Sequence, residues 1–213
     1  MVDVSAAHDL TQLVVIDRRV VWPARRVLDV LVALSALPLL GLVAAVLAVL
    51  NPRFNKGPVF YRQARMGCGG ASFQMIKFRS MTVNHGQATR RFDEPLERQR
   101  ITPLGAWLRR LRIDELPQIL NILRGDMTLI GPRPDAWEHA RAFIAKVPDY
   151  SRRLAVRPGI TGLAQVELGY TEGLAATTQK VAVDLRYIRE RSWRLDALIM
   201  WRTVRLVAAA GGR

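Results

Sequence analysis

The stretch VLVALSALPLLGLVAAVLAVL, Val30 to Leu50, runs 21 residues without a charge. A bilayer core of roughly 30 Å is crossed by about 20 such residues as a helix, so any fold of this chain must accommodate a membrane-length apolar segment. The segment begins too far from Met1, and lacks the short apolar core and cleavage site, to read as a removable signal peptide. Its flanks constrain its path. Arg25 and Arg26 precede it, and Arg53, Lys56, Arg62 and Arg65 follow. Basic flanks stay on the cytoplasmic side, and applied to both ends that rule conflicts with a simple span. Pro38, near the middle, lacks an N–H and crowds the preceding turn, and Ser35 can bond back to a carbonyl one turn earlier. The expectation is a helix that enters, bends and returns. An ordinary span with a tolerated proline is the competing account.

The remainder of the chain is basic. Thirty-two Lys and Arg against 18 Asp and Glu give +14, and residues 1–50 hold four of each sign, so the excess lies after residue 50. Such an excess suits an anionic partner: nucleic acid, an acidic membrane face or phosphorylated small molecules. No zinc-finger spacing, basic zipper or aromatic RNA-binding motif accompanies it, which argues against nucleic acid. Cys68 is the single cysteine, so an intrachain disulfide or multi-cysteine metal site is excluded.

Two runs, Val59 to Gln63 and Ser72 to Arg79, flank the glycines Gly67, Gly69 and Gly70 and predict a β-hairpin with a tight turn. Residues 87–100 are polar without a clear period and read as a surface loop or short exposed helix. In TPLGAWLRRLRI, Thr102 is placed to cap a helix with Pro103 in its first turn and Leu104, Trp107, Leu108 and Leu111 on one side. Arg109, Arg110 and Arg112 take the other side, as a solvated face or against lipid phosphates.

DELPQILNILRGDMTLIGPRP, residues 114–134, sets two adjacent acids before an apolar run. Pro117 suits a first helical turn, and Gly125 suits a C-terminal stop. Asp114 and Glu115 at that N-terminus are explained by capping alone. Capping does not explain Arg133 between two prolines. A rigid guanidinium near two carboxylates suits phosphate chemistry, with an acid either holding Mg²⁺ or attacking phosphorus. His85 and His139 are not needed for it and read as surface residues.

With the Ser- and Pro-containing apolar segment, KFRSM at residues 77–81, the DELPQ-to-PRP stretch and RPGITGLAQV at residues 157–166, the chain resembles the monotopic bacterial phosphoglycosyl transferases from about Arg25 to about Arg205. These initiating sugar transferases move a phosphosugar from a UDP-sugar to undecaprenyl phosphate. The resemblance implies a minimal catalytic form, without the multi-span N-terminal extension of larger relatives. By motif it implies Asp114 as the nucleophile, Glu115 as the Mg²⁺ ligand, Arg133 as a phosphate grip, and Lys77 and Arg79 lining the same pocket. It also implies that Arg157, Thr161, Gly162 and Gln165 contribute to the nucleotide end. From the residues alone, RPGITG is a tight loop. The family commonly has Trp where Leu163 stands. Neither the sugar nor the glycan pathway is readable, and whether copies associate into a homo-oligomer stays open.

Near the C-terminus, Arg191, Arg194, Arg202 and Arg205 fall within a sector of about 80° if residues 191–207 form one helix, with Trp193, Met200, Val204 and Val207 roughly opposite. That predicts an interfacial helix against membrane lipids, with core packing as the competing account. The expected fold is α-rich α+β: residues 1–24 as an N-terminal segment, 25–52 as a re-entrant membrane helix, and 53–213 as a compact cytoplasmic domain with a β-hairpin and interfacial amphipathic helices. A catalytically idle membrane-anchored scaffold of a glycan assembly complex is the alternative function, and it leaves Asp114 and Glu115 as mere caps.

Overall fold

The structure is a computed structural model that describes residues 23–83, 94, 97–169 and 173–211. His85 and most of the polar stretch 87–100 lie outside the described residues.

The apolar segment is the centre of one helix, α1 (Pro23–Phe54), continuous through Pro38. It is long and apolar enough to cross a membrane. Ser35 Oγ donates to the Val32 carbonyl at 2.9 Å, the back-bond its spacing predicts. Arg25, Asp29, Ala33, Leu40, Leu47 and Asn51 are buried, a stripe at helical spacing that runs almost the whole length. Val27, Leu31, Leu42 and Val49 among others stand exposed, Val49 at 78%. One face of α1 therefore packs on protein while a large apolar surface is left bare.

Both ends of α1 are bonded to the rest of the chain. At the start, Arg25 pairs with Asp196 at 2.6 Å, and Arg26 donates to the carbonyls of Ile122 and Leu123 at 2.6 and 3.1 Å. Asp29 accepts from Thr128 Oγ1 at 2.7 Å and from the Leu129 N–H at 3.0 Å. At the other end, Asn55 donates to the Arg79 carbonyl at 2.6 Å and accepts from Thr102 Oγ1 at 3.1 Å.

The hairpin forms as expected: β1 (Phe60–Met66) pairs antiparallel with β2 (Ser72–Phe78), Phe60 opposite Phe78 and Met66 opposite Ser72. Then α2 (Pro103–Arg110) is capped by Thr102, whose Oγ1 accepts from the Gly105 N–H. Next, α3 (Gln118–Arg124) ends at Gly125, which takes φ +92°, a left-handed conformation open to glycine. Met75, Phe78, Leu108, Ile119, Ile122 and Met127 form a core with Ala33, Leu40 and Leu47 of α1.

A second pair of strands was not foreseen. β3 (Thr128–Ile130) lies parallel to β4 (Gly159–Thr161), and the crossover between them contains α4 (Trp137–Lys146) and a 3₁₀ turn, Tyr150–Ala155. The chain then forms α5 (Leu163–Leu168), α6 (Leu174–Glu190) and α7 (Trp193–Gly211). Glycines let the two strand ends touch: a Cβ on Gly159 would sit 2.1 Å from the Gly131 nitrogen, and one on Gly162 would sit 2.2 Å from the Gly131 oxygen. Leu163, Tyr187 and Ile199 join α5, α6 and α7 in a core of their own.

On α7 the faces differ from expectation. Asp196, Ile199 and Thr203 turn inward, while Trp201 is 60% exposed and Trp193, Leu198 and Val204 are exposed with it. Arg194, Arg202 and Arg205 are on the same outer side, so basic and apolar residues share one face. A single sweep of 100° per residue does not reveal which sector a three-helix core will claim.

Asn121 ties α3 to the hairpin. Its Oδ1 accepts from the Ile76 N–H at 3.0 Å and its Nδ2 donates to the Gln74 carbonyl at 2.8 Å and to Asp126 at 3.0 Å. It is fully buried. Asn121→Ala strands those groups and is expected to cost about 2–4 kcal/mol, one to two unmade buried hydrogen bonds. Thermal unfolding of detergent-solubilised protein measures it; an unchanged midpoint removes Asn121 as a tie.

Candidate active site

Three segments meet at Glu115. Arg112 opens a 3₁₀ turn, Ile113–Glu115, from a left-handed φ of +57°. Lys77 projects from β2, and Arg133 comes from the loop after β3. Both acids are buried, Asp114 at 6% exposure and Glu115 at 7%. Neither caps α3: Pro117 holds the cap position and no side chain caps there. The capping account of the adjacent acids therefore fails.

Glu115 is enclosed by cations. Its Oε2 accepts from Arg133 Nη1 at 3.0 Å and its Oε1 from Arg133 Nη2, a bidentate fork. Lys77 Nζ lies 3.5 Å from Oε1, and Arg112 Nη1 lies 3.6 Å away. Burial pushes the Glu115 carboxyl up, but Arg133, Lys77 and Arg112 outweigh it and hold the group well below the usual carboxylate range. Burial pulls Lys77 down to about 8, against the upward pull of Glu115.

Asp114 is the opposite case. Among the described residues its carboxylate makes no hydrogen bond or ion pair. Burial raises its pKa, with Lys77 opposing and Glu115 adding to the rise. The site thus presents one tethered carboxylate and one free, partly desolvated carboxylate beside Lys77, Arg109 and Arg133.

Arg133 is held on three sides. Its Nη1 also donates to the Ile160 carbonyl at 3.1 Å, and the same carbonyl accepts from Gln165 Nε2 at 3.2 Å, which places Gln165 next to Arg133. Its backbone oxygen accepts from Arg153 at 2.7 Å. Arg65, which sequence reading passed over, donates to the Pro134 carbonyl at 2.9 Å. Burial and the neighbouring Arg133 push Arg65 down to about 10.

Other expected residues lie elsewhere. Arg79 donates to the Pro58 carbonyl and stacks over Tyr61. The Thr161 hydroxyl pairs with Thr203 of α7 at 2.7 Å. Gly162 acts through its backbone, as described. Arg157 is exposed, and its electrostatic neighbour is Cys68 in the hairpin turn. His139 is half-buried and meets the edge of Phe143.

Among the described residues, no three of His, Cys, Asp and Glu come together to cage a metal. Adjacent Asp114 and Glu115 are hard oxygen donors, and the groups around them are cations that contribute no ligand. Mg²⁺ commonly takes one or two carboxylates with substrate phosphates and water. A carboxylate here has the donor chemistry for a Mg²⁺ shared with a phosphate substrate, while both Glu115 oxygens are held by Arg133 in this structure.

A family model described as bacterial sugar transferase matches residues 20–210. The chain belongs to the bacterial sugar transferase family. It is 44% identical over 191 residues to the UDP-glucose:undecaprenyl-phosphate glucose-1-phosphate transferase of Caulobacter vibrioides, an alignment covering 84% of this chain and 68% of that protein. It is 41% identical over 188 residues to the UDP-N-acetylgalactosamine-undecaprenyl-phosphate N-acetylgalactosaminephosphotransferase of Aeromonas hydrophila, covering 88% of this chain and 44% of that one. With the exopolysaccharide production protein PSS of Rhizobium leguminosarum bv. phaseoli it shares 37% over 189 residues, 84% of this chain and 92% of the relative. The chain thus spans under half of the Aeromonas protein and about two thirds of the Caulobacter protein. In this member of the family, Leu163 is 3% exposed in the core of α5, α6 and α7, so its side chain packs the fold.

The two acids are expected to affect stability in opposite directions. The folded state raises the Asp114 pKa, so the ionised form costs stability; that cost is absent when the group is protonated and grows as pH rises through the folded value. Asp114→Asn should therefore match or exceed wild-type thermal stability at pH 7.5. Glu115→Gln should lose about 3 kcal/mol, the low end for a buried pair deprived of one partner. Thermal denaturation at fixed detergent checks both, and equal losses in the two variants would contradict the assignment of one free and one tethered acid.

Proposed function

We propose that the protein transfers a phosphosugar from a UDP-sugar to undecaprenyl phosphate, releasing UMP, by a covalent aspartyl-phosphosugar intermediate. The reaction opens a polysaccharide or glycoconjugate pathway at the cytoplasmic face of the bacterial inner membrane. The observation that carries the mechanism is the unpaired, buried carboxylate of Asp114 beside a cation cluster held in place by Glu115. The names of the relatives support the substrate classes.

Arg133 and Lys77 meet the diphosphate as fork and point charge respectively, drawn partly away from Glu115 by the incoming phosphate oxygens. An Asp114 oxygen attacks the sugar-bearing phosphorus, the bond from that phosphorus to the bridging oxygen breaks, and the electron pair leaves with UMP. A phosphate oxygen of undecaprenyl phosphate then attacks the same phosphorus, and Asp114 departs as carboxylate. Mg²⁺ would be held by Glu115 with the substrate phosphates, where it neutralises charge that builds on the departing phosphate. Burial of Asp114 keeps water from competing for the intermediate.

Membrane attachment follows the same reading. The bonds at both ends of α1 to one compact domain support a re-entrant path, since a helix that left the domain for the far side would lose one set. The exposed Trp193 and Trp201 and the arginines of α7 suit the interface with anionic lipid.

With a UDP-sugar labelled in the sugar and no lipid acceptor, label is expected on the protein at Asp114 as UMP appears, and added undecaprenyl phosphate should discharge it. Asp114→Asn should fold and release almost no UMP. Wild-type turnover by Asp114→Asn would sink the double displacement. So would failure to trap labelled protein on rapid quenching while product forms. A panel of UDP-sugars read by UMP release identifies the donor, and no release from any of them favours the idle scaffold.

Topology has its own test. In a Cys68→Ser background, Ala24→Cys and Lys56→Cys, both at exposed positions, should react with a membrane-impermeant maleimide only after the inner face is opened. Reaction of Lys56→Cys in intact cells would establish a simple span instead.

A further inference from the structure

A second group of charges lies behind the active site, outside every motif discussed above. Arg153, with its side chain 2% exposed, pairs with Asp184 through Nη2 at 2.7 Å. Its Nε also donates to Asp184, at 2.9 Å. Its Nη1 meets Asp135 and donates to the Tyr150 hydroxyl at 3.1 Å, and its Nη2 donates to the Arg133 carbonyl at 2.7 Å. A guanidinium has five N–H donors, and here Nε, Nη1 and Nη2 make hydrogen bonds to four acceptors: Asp184, Asp135, the Tyr150 hydroxyl and the Arg133 carbonyl. Lys180 Nζ lies 2.7 Å from the other Asp135 oxygen. The Tyr150 hydroxyl also donates to Asp135 at 2.7 Å. Two cations and two anions balance, so the group is a closed, neutral set whose only link outward through Arg153 is the Arg133 backbone.

This is an expensive arrangement for stability alone. Buried ion pairs seldom outperform an apolar core of the same volume. What it supplies is placement: Asp135 follows Pro134 directly, so the cluster grips the Pro-Arg-Pro segment at the carbonyl of Arg133 and at the residue just beyond it. Lys180 and Asp184, one turn apart on α6, fix that grip to the helical body.

We propose that Arg153, backed by Asp184, Lys180 and Asp135, is a positioning residue that aims the Arg133 guanidinium at the substrate phosphate; the proposal rests on the reading of Arg133 as a phosphate grip. Arg153 touches no substrate in this account. It acts by holding the backbone from which Arg133 reaches both Glu115 and the diphosphate.

A double-mutant cycle on UMP release tests it, with unfolding of each detergent-solubilised variant followed in parallel. Arg133→Ala should lower kcat/KM for the UDP-sugar at least about tenfold, the loss of a charge-assisted bond in the transition state. Arg153→Lys keeps one charge but, with three donors, cannot serve all four acceptors, and should lower kcat/KM at least about fivefold. Asp184→Asn should do the same more weakly. In the Arg133→Ala background each of these second changes should cost less than about twofold, because no guanidinium remains to be aimed. A purely structural role would lower the active fraction by the same factor in both backgrounds, and that result overturns the proposal, as does full activity of Arg153→Lys and Asp184→Asn. If Arg133→Ala itself turns over like wild type, the phosphate-grip reading fails instead. Should Arg153→Lys not fold, Tyr150→Phe, which removes one hydroxyl from the cluster, goes through the same cycle; it should cost at least about twofold alone and nothing further beside Arg133→Ala.

Discussion

The fork from Arg133 to Glu115 is the contact that the active site is built around. It joins the turn after α2 to the loop after β3, two segments with no backbone pairing between them. Without the negative charge of Glu115, Lys77, Arg65 and Arg133 would face one another at short range in a poorly hydrated space, and the depressed values of Lys77 and Arg65 record how costly that already is. Glu115 therefore concentrates positive charge where a diphosphate would lie. It does so while occupied, which leaves its neighbour free.

Helix α1 is coupled to the same construction. Asp29 of α1 bonds to Thr128 and the Leu129 N–H, and β3, which holds both, runs directly into Gly131 and the Pro-Arg-Pro loop. At the far end, Asn55 bonds to the carbonyl of Arg79, two residues beyond Lys77. The two strands that deliver Arg133 and Lys77 are thus each pinned to one end of α1. On the proposed reading, an acceptor carried in the bilayer would reach a site whose cations are aligned with respect to α1.

Much of this was legible in the sequence wherever a local signal was decisive. The apolar run, the glycine turn between two strand-like runs, the Thr102 cap and the Gly125 stop all follow from residue types acting over a few positions. β3 and β4 were not legible because three residues are too few for alternation to register. Their glycines read as turn formers, whereas the structure uses Gly159 and Gly162 for close backbone approach. Arg153 had no signal either: in YSRRLA it is indistinguishable from Arg152, yet the Arg152 side chain is 64% exposed and that of Arg153 is 2% exposed. Of the residues the motifs singled out, Arg133 and Lys77 gather at Glu115 and Gln165 bonds the same carbonyl as Arg133, whereas Arg79 stacks over Tyr61 and Thr161 bonds Thr203. Partners drawn from distant elements decide such cases, and no window of sequence contains them.

Why the acids are adjacent follows from the turn that holds them. In a 3₁₀ turn successive side chains diverge by about 120°, so neighbouring carboxylates do not present their oxygens to the same donors. Glu115 takes the fork of Arg133 and the ion pairs of Lys77 and Arg112, and Asp114, though within the field of Lys77 and Arg133, makes no bond to them. On a regular helix, acids spaced three or four apart would lie on the same face and both would be captured. Adjacency separates them by that angle while keeping the free carboxylate close enough to feel the field of Lys77 and Arg133. The cost is a raised Asp114, and a chain selected only for stability would replace that residue with an amide or an apolar side chain.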